Sequence, residues 1–186
     1  MARIEYKNDA TRALEEAEGS NGRMNVDARS GGIPYHNSKD EGQAYAFVYE
    51  HLAGVSLEKC FYIQNTSTNK TLVVESITLN ATALTRFHLD VVVGTAAGAG
   101  DVVPRNVNLA SVNDAVGVFK QDTGGAITGT TVSGEPIDYI QCSAGGHVEM
   151  ELNERLRLGQ NDAISLEIHS TATTSDAFGV VFFHYE

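Results

Sequence analysis

From residue 43 onward the chain is a succession of short apolar runs with alternating character, broken every few residues by Gly, Asn, Asp, Ser or Pro. Alternation with a period of two sends successive side chains to opposite faces of a strand and cannot give one continuous helical stripe. The clearest case is "QAYAFVYEH", which places Tyr45, Phe47 and Tyr49 on one face and Ala44, Ala46 and Val48 on the other. Runs of the same kind follow: "LEKCFYIQN", "TLVVESITL", "RFHLDVVVG", "VVPRNVNLA", "AVGVFKQ", "AITGTTV", "IDYIQCS", "HVEMEL", "DAISLEIHS" and "AFGVVFFHYE". Roughly ten strands at this spacing predict an all-β antiparallel sandwich or closed barrel. No helical pattern separates the strands, which excludes a Rossmann-like parallel sheet. No repeat of fixed period is present, which argues against propellers and solenoids.

Two stretches share a form. In "CFYIQNTSTNKTLVVESITL" a polar turn joins two apolar runs, and the pattern predicts antiparallel neighbours on either side of it. In "RLRLGQNDAISLEIHS" a short apolar stretch meets a Gly-Gln-Asn-Asp turn and then a long alternating strand. The last run, "GVVFFHY", is almost continuously apolar and predicts burial on both faces, in the core or against a neighbouring subunit. Gly94–Asp101 reads as a long connection. It lacks the Gly-Lys-Ser/Thr ending of a phosphate loop and no helix follows it.

Residues 1–40 differ in kind. They contain "GSNG" and "SGGIPYHNS", little apolar periodicity, and one short helical candidate from Asp9 to Glu18, with Asp9 as its cap and Gly19 as its stop. Such a segment buries too little apolar surface to fold alone. The expected organisation is an N-terminal arm over 1–42 and a β domain over 43–186. Charge divides the same way. Residues 1–40 hold six Lys/Arg and seven Asp/Glu, whereas residues 41–186 hold seven and seventeen, for a net charge of −11 overall. A body this acidic is repelled by phosphate backbones and by anionic membrane surfaces, so neither nucleic acid nor membrane is an expected partner. No run approaches the ~20 apolar residues of a membrane span. The first twenty residues lack the apolar core of a secretory signal, so the expected site of synthesis is a cytoplasm. The Asn-x-Ser/Thr triplets at Asn65, Asn69 and Asn80 then read as turn composition.

No catalytic or metal site is predicted, and no cofactor. Cys60 and Cys142 are too few and too far apart for a zinc pattern and read as reduced, buried side chains. His88 and Asp90 share a strand face, as do Glu149 and Glu151, but Asp and Glu at alternate positions are also what the wet face of a half-buried sheet requires. Glu135 with Asp138, or Glu149 with Glu151, supplies the carboxylates of a glycosidase without any Trp to stack a sugar. There is no Gly-x-Ser-x-Gly elbow. The stripe Tyr45, Phe47 and Tyr49, with Phe182 and Phe183 of the last strand, reads as core or as a subunit interface.

The two related stretches, in an acidic β domain behind a Gly-rich arm, resemble adjacent strands of the single jelly-roll in virion structural proteins of tailed bacteriophages, in particular capsid decoration (cement) proteins. The resemblance implies a non-enzymatic jelly-roll that sits as a homotrimer on the major capsid protein lattice, with the virion as its location. It implies an arm that orders on the capsid, for which Arg3, Tyr6, Arg12, Arg23, Arg29 and Tyr35 are the candidate contacts by residue type. Fibre or receptor-binding proteins use the same fold, with loops such as Gly94–Asp101 and Gly124–Gly134 reading a host-surface glycan. A cupin-like enzyme is the third class, and it requires an inward-facing His/Glu metal set.

Overall fold

In the computed structural model, residues 5–7, 14–16, 19–20, 23–24, 42–123, 126–171 and 174–186 are described. The chain divides into two compact units, Met1–Gly32 and Ile33–Glu186. In the first, β1 (Glu5–Lys7) pairs antiparallel with β2 (Leu14–Glu16), and β3 (Gly19–Ser20) with β4 (Arg23–Met24). The expected helix over 9–18 falls mostly outside the described residues. Its described part, Leu14–Glu16, is extended, because its backbone groups pair with β1 and not within a helical turn.

The second unit is all β. Its elements are β5 (Ala44–Gly54), β6 (Lys59–Asn65), β7 (Leu72–Ala81), β8 (Thr85–Ala97), β9 (Gly100–Asp101), β10 (Arg105–Asn106), β11 (Gly117–Gln121), β12 (Thr128–Val132), β13 (Asp138–Cys142), β14 (Gly146–Leu158), β15 (Ala163–Thr171) and β16 (Ser175–Tyr185). A five-stranded sheet has the order β10-β5-β16-β7-β14. A seven-stranded sheet has the order β12-β8-β15-β6-β11-β9, with β13 also on β8. All the pairings are antiparallel. Followed along the chain, β5, β7, β14 and β16 fall in one sheet and β6, β8, β13 and β15 in the other, so the chain crosses between layers at almost every connection. Eight strands wound this way form a jelly-roll. Residues 98–132, which carry β9 to β12, are inserted between β8 and β13 and extend both sheets.

The core lies between the layers. Tyr45, Phe47 and Tyr49 of β5 meet Phe61 of β6, Phe119 of β11 and Phe183 of β16, with Phe47 and Phe61 edge to face at 5.9 Å and Phe119 stacked on Phe183 at 5.3 Å. Offset and edge-to-face pairs of this kind add to plain area burial. Cys60 and Cys142 are free and buried in the same core, where burial pushes both thiols up from their ordinary pKa.

The turn "NTSTNKT" does not join neighbours. β6 and β7 lie in different sheets, and so do β14 and β15; the two turns are arches across the sandwich, side by side. Asn65 pins them together. Its Nδ2 donates to Lys70 O and Leu158 O at 2.8 Å each, its Oδ1 accepts from Ser67 N at 2.9 Å, and its backbone exchanges hydrogen bonds with Asn161 and Asp162. Gly94–Asp101 also differs from expectation. β8 continues to Ala97 because Gly94 and Gly129 allow the backbones of β8 and β12 to approach within the space of a side chain. "VVPRNVNLA" keeps only Arg105–Asn106 as strand; Pro104, immediately before it, has no N–H for a ladder.

Candidate functional site

The alternation that fills the core leaves two outer faces. On the five-stranded sheet, registered rows run Val48, Val180, Thr78, Glu149 and Ala46, Phe182, Ser76, Glu151, with Glu50, Phe178, Asn80 and His147 beside them. Val48 and Leu52 are 57% exposed, Phe178 is 44% and Phe182 is 39%. The face is therefore apolar along β5 and β16 and becomes acidic at β14. Gly179 makes room beneath it for the Tyr49 hydroxyl, which donates to Thr78 O at 2.9 Å. Of the aromatic set predicted from sequence, Tyr45, Phe47, Tyr49 and Phe183 lie inside the chain's own core, and Phe182 alone faces out. Tyr6 and Arg23 lie on β1 and β4, paired opposite Glu15 and Ser20. Arg3, Arg12, Arg29 and Tyr35 lie outside the described residues.

One end of the first face is underlain by a buried imidazole. His184 Nδ1 is 2.7 Å from Glu75 Oε1 and Nε2 is 3.3 Å from Glu186 Oε1, while Arg157 pairs with Glu186. Burial, and after it the positive charge of Arg157, pushes His184 down to about 4, so it is neutral at pH 7 despite the two carboxylates.

The outer face of the seven-stranded sheet is covered. A second apolar cluster of Tyr62, Val92, Ala96, Ile127 and Ala163 sits there under the insertion, and Tyr62 OH donates to Gly94 O at 3.2 Å. Next to it lies a polar row. Lys59 Nζ is 3.3 Å from Glu167 Oε2, Glu167 is registered with His88, and Ser165 with Asp90. Asp90 is 1% exposed and neither of its carboxylate oxygens has a hydrogen-bond partner; Ser165 Oγ and His88 Nε2 lack one as well. Burial, with Glu167 adding to it, raises the Asp90 carboxyl above its ordinary range, against the pull of His88, Lys59 and His169.

A cavity of about 380 Å³ opens beside this row, lined by Arg86, Phe87, His88, Tyr139, Ile140, Gln141 and His169. The imidazoles of His88 and His169 stack at 3.9 Å, Tyr139 meets His88 edge-on at 4.6 Å, and Arg86 Nε donates to Gln141 Oε1 at 3.4 Å. The pairing of β15 with β8 brings His169 there: the register slips between Ile168 and Ser170, so His169 is the extra residue of a bulge. Sequence alternation put His88 and Asp90 on one face. It gave no sign of His169, Tyr139 or Arg86, because a bulge and a cross-strand register are not local properties.

Neither pair of carboxylates weighed for hydrolysis lines the cavity beside His88. Glu149 and Glu151 are on the exposed face of β14 in the five-stranded sheet, while Glu135 and Asp138 are exposed at the β12–β13 edge of the other sheet. The arrangement as a whole suits binding: a largely apolar face, and a pocket with a guanidinium and two imidazoles on an acidic body. No protein-family model matches the chain, and comparison with curated proteins and with solved structures found no match.

Proposed function

We propose that the chain is a structural, non-enzymatic component of a tailed-bacteriophage virion, a capsid decoration protein that binds the major capsid protein lattice as a homotrimer. The observation that carries this reading is the outer face of the five-stranded sheet, where Val48, Leu52, Phe178 and Phe182 lie exposed on the jelly-roll. An apolar face of this kind is what a subunit contact uses. Cyclic symmetry then repeats one weak capsid contact per subunit into firm attachment. In this reading the segment 1–42, with Arg3, Tyr6, Arg12, Arg23, Arg29 and Tyr35, reaches the capsid.

The test begins with absolute mass by light scattering. A mass near three times 19.9 kDa is expected. Val48→Lys with Phe182→Lys should reduce it to one chain without unfolding the body. A chain lacking residues 1–40 should fold and fail to bind capsids. A wild-type monomer that also ignores capsids overturns the reading.

A second reading rests on the other face. The pocket of Arg86, His88, Tyr139, Gln141 and His169 favours a fibre or receptor-binding protein that recognises a host-surface glycan bearing an acidic group. Binding of such a glycan, lost on Arg86→Ala and kept after removal of residues 1–40, would select it.

A further inference from the structure

Where β5 hands over to β6, three side chains of metal-ligating type converge. His51 is on β5, Glu58 is in the turn before β6, and Asp122 follows β11 of the insertion. One donor atom from each lies within 4.8 Å of the other two. His51 Nε2 is 3.4 Å from Glu58 Oε2, and Nδ1 is 2.8 Å from Asp122 Oδ2. His51 is 1% exposed, yet neither ring nitrogen has a hydrogen bond. The carboxylates are within reach of the imidazole without a hydrogen bond's alignment to it. A buried ring held only by such contacts is open to a further partner.

The spacing of the three donors fits an ion. Two donors at about 2.0–2.1 Å from a common centre stand about 2.9–3.4 Å apart. The two ring nitrogens face different carboxylates and one ion takes only one nitrogen, so a small movement of the other carboxylate within the 4.8 Å spread completes the set. The donors are also held in place. Val55 N donates to Glu58 Oε2 at 2.8 Å, and the turn is tied to β15 by Leu57 N to Ile168 O at 2.6 Å and Ile168 N to Glu58 O at 2.8 Å. Glu50 N donates to Gln121 Oε1 at 3.0 Å, which fixes the end of β11 beside β5 and with it Asp122. Gly54 is required here, since a Cβ would collide with the His51 ring and with Ile168. Pre-set donors of this kind raise metal affinity because little order is lost on binding.

We propose that His51, Glu58 and Asp122 bind a divalent first-row transition ion of the Zn²⁺ type, which staples the inserted strand β11 to the β5–β6 corner. One imidazole and two carboxylates suit Zn²⁺, whereas Ca²⁺ takes six to eight oxygens. Three protein donors leave a fourth position for water or for a partner's side chain. The inference is independent of the virion reading, because the site lies within a single chain and uses neither outer face.

The experiment is calorimetric titration of the untagged full-length chain, stripped with chelator, with Zn²⁺ alone. One ion per chain is expected, with a rise in Tm of about 5–10 °C at roughly a hundredfold excess of free ion over Kd. Co²⁺ in its place should give the intense visible absorption of a four-coordinate site. Glu58→Gln, at a position 37% exposed, should leave the apo fold intact and weaken binding at least about tenfold; Asp122→Asn should do the same. His51→Gln tests the buried donor, with circular dichroism checking its fold. Absence of saturable binding by the wild-type chain would overturn the site. Unchanged binding by Glu58→Gln and Asp122→Asn would overturn it too, assigning the ion to other histidines.

Discussion

The outer face of the five-stranded sheet and that of the seven-stranded sheet are laid over the same core by the same alternation, yet they end in different states. The first is open: Val48, Leu52, Phe178 and Phe182 stand on it between 39% and 57% exposed. The second carries its own apolar cluster, a buried carboxylate and a cavity. The insertion between β8 and β13 makes the difference, since Ile127 and Val132 close over Tyr62, Val92 and Ala163, whereas on the first sheet it adds β10 at the edge and Val107 beside Phe182. A bare sheet is flat and suits another protein surface. A covered sheet becomes concave and suits a small ligand. In this molecule the place of one insertion decides which face can do which.

The comparison requires that both faces ride on one cooperative scaffold, and the arch pair tests this most severely. Asn65→Ala removes three side-chain hydrogen bonds at a fully buried position and strands Lys70 O, Leu158 O and Ser67 N. Stability should fall by about 2–4 kcal/mol. Urea unfolding followed by far-ultraviolet circular dichroism and by tyrosine fluorescence should still give one coincident transition, at a lower midpoint. Two separated transitions would mean that the layers are independent units, and the comparison would then be between two domains.

Acid should strike the open face next. His184 is held neutral in the folded chain, with its pKa lowered from 6.5 to about 4, whereas in the unfolded chain it protonates near 6.5. Its contribution is therefore intact above about pH 6.5 and is lost as pH falls from there towards 4. The loss should be about 2 kcal/mol, discounted for the nearby Glu75 and Glu186. Asp90 acts in the opposite sense: its raised carboxyl takes up a proton earlier in the folded chain, so acid favours folding there. The fall in Tm across this window should flatten in His184→Gln. An equal fall in that variant would place the acid sensitivity elsewhere.

The strands were legible because alternation is local. Every run from "QAYAFVYEH" to "AFGVVFFHYE" holds strand, and the jelly-roll implied by the family resemblance is the winding found. What the chain does between strands was less legible. A seven-residue polar turn has the same composition whether it closes a hairpin or spans the two layers of a sandwich, which lie about 10 Å apart. The distinction rests on Asn65 reaching Leu158, ninety-three positions away in sequence. The pocket was half legible for the same reason. His88 and Asp90 follow from periodicity, but His169 joins them only through the bulge after Ile168. The cluster of His51, Glu58 and Asp122 spans a strand, a turn and an insertion, and no spacing in the sequence announces it.

The smallest expected effect asks whether the covered face is complete as it stands. Asp90 is buried with no hydrogen-bond partner for either oxygen, and Lys59, whose charge favours the carboxylate, is engaged with Glu167. An unpaired buried charge is a net cost. Asp90→Asn keeps the shape and removes the charge, so it should raise stability at pH 7 by about 1 kcal/mol. The gain should shrink as pH falls through the raised pKa of Asp90, because the wild-type carboxyl is then neutral as well. Denaturant midpoints of the two chains, followed from pH 7 downwards, measure both effects. A loss of stability at pH 7 would show that Asp90 answers a cation or a ligand group in solution, and the pocket beside His88 would then be the first place to look for it.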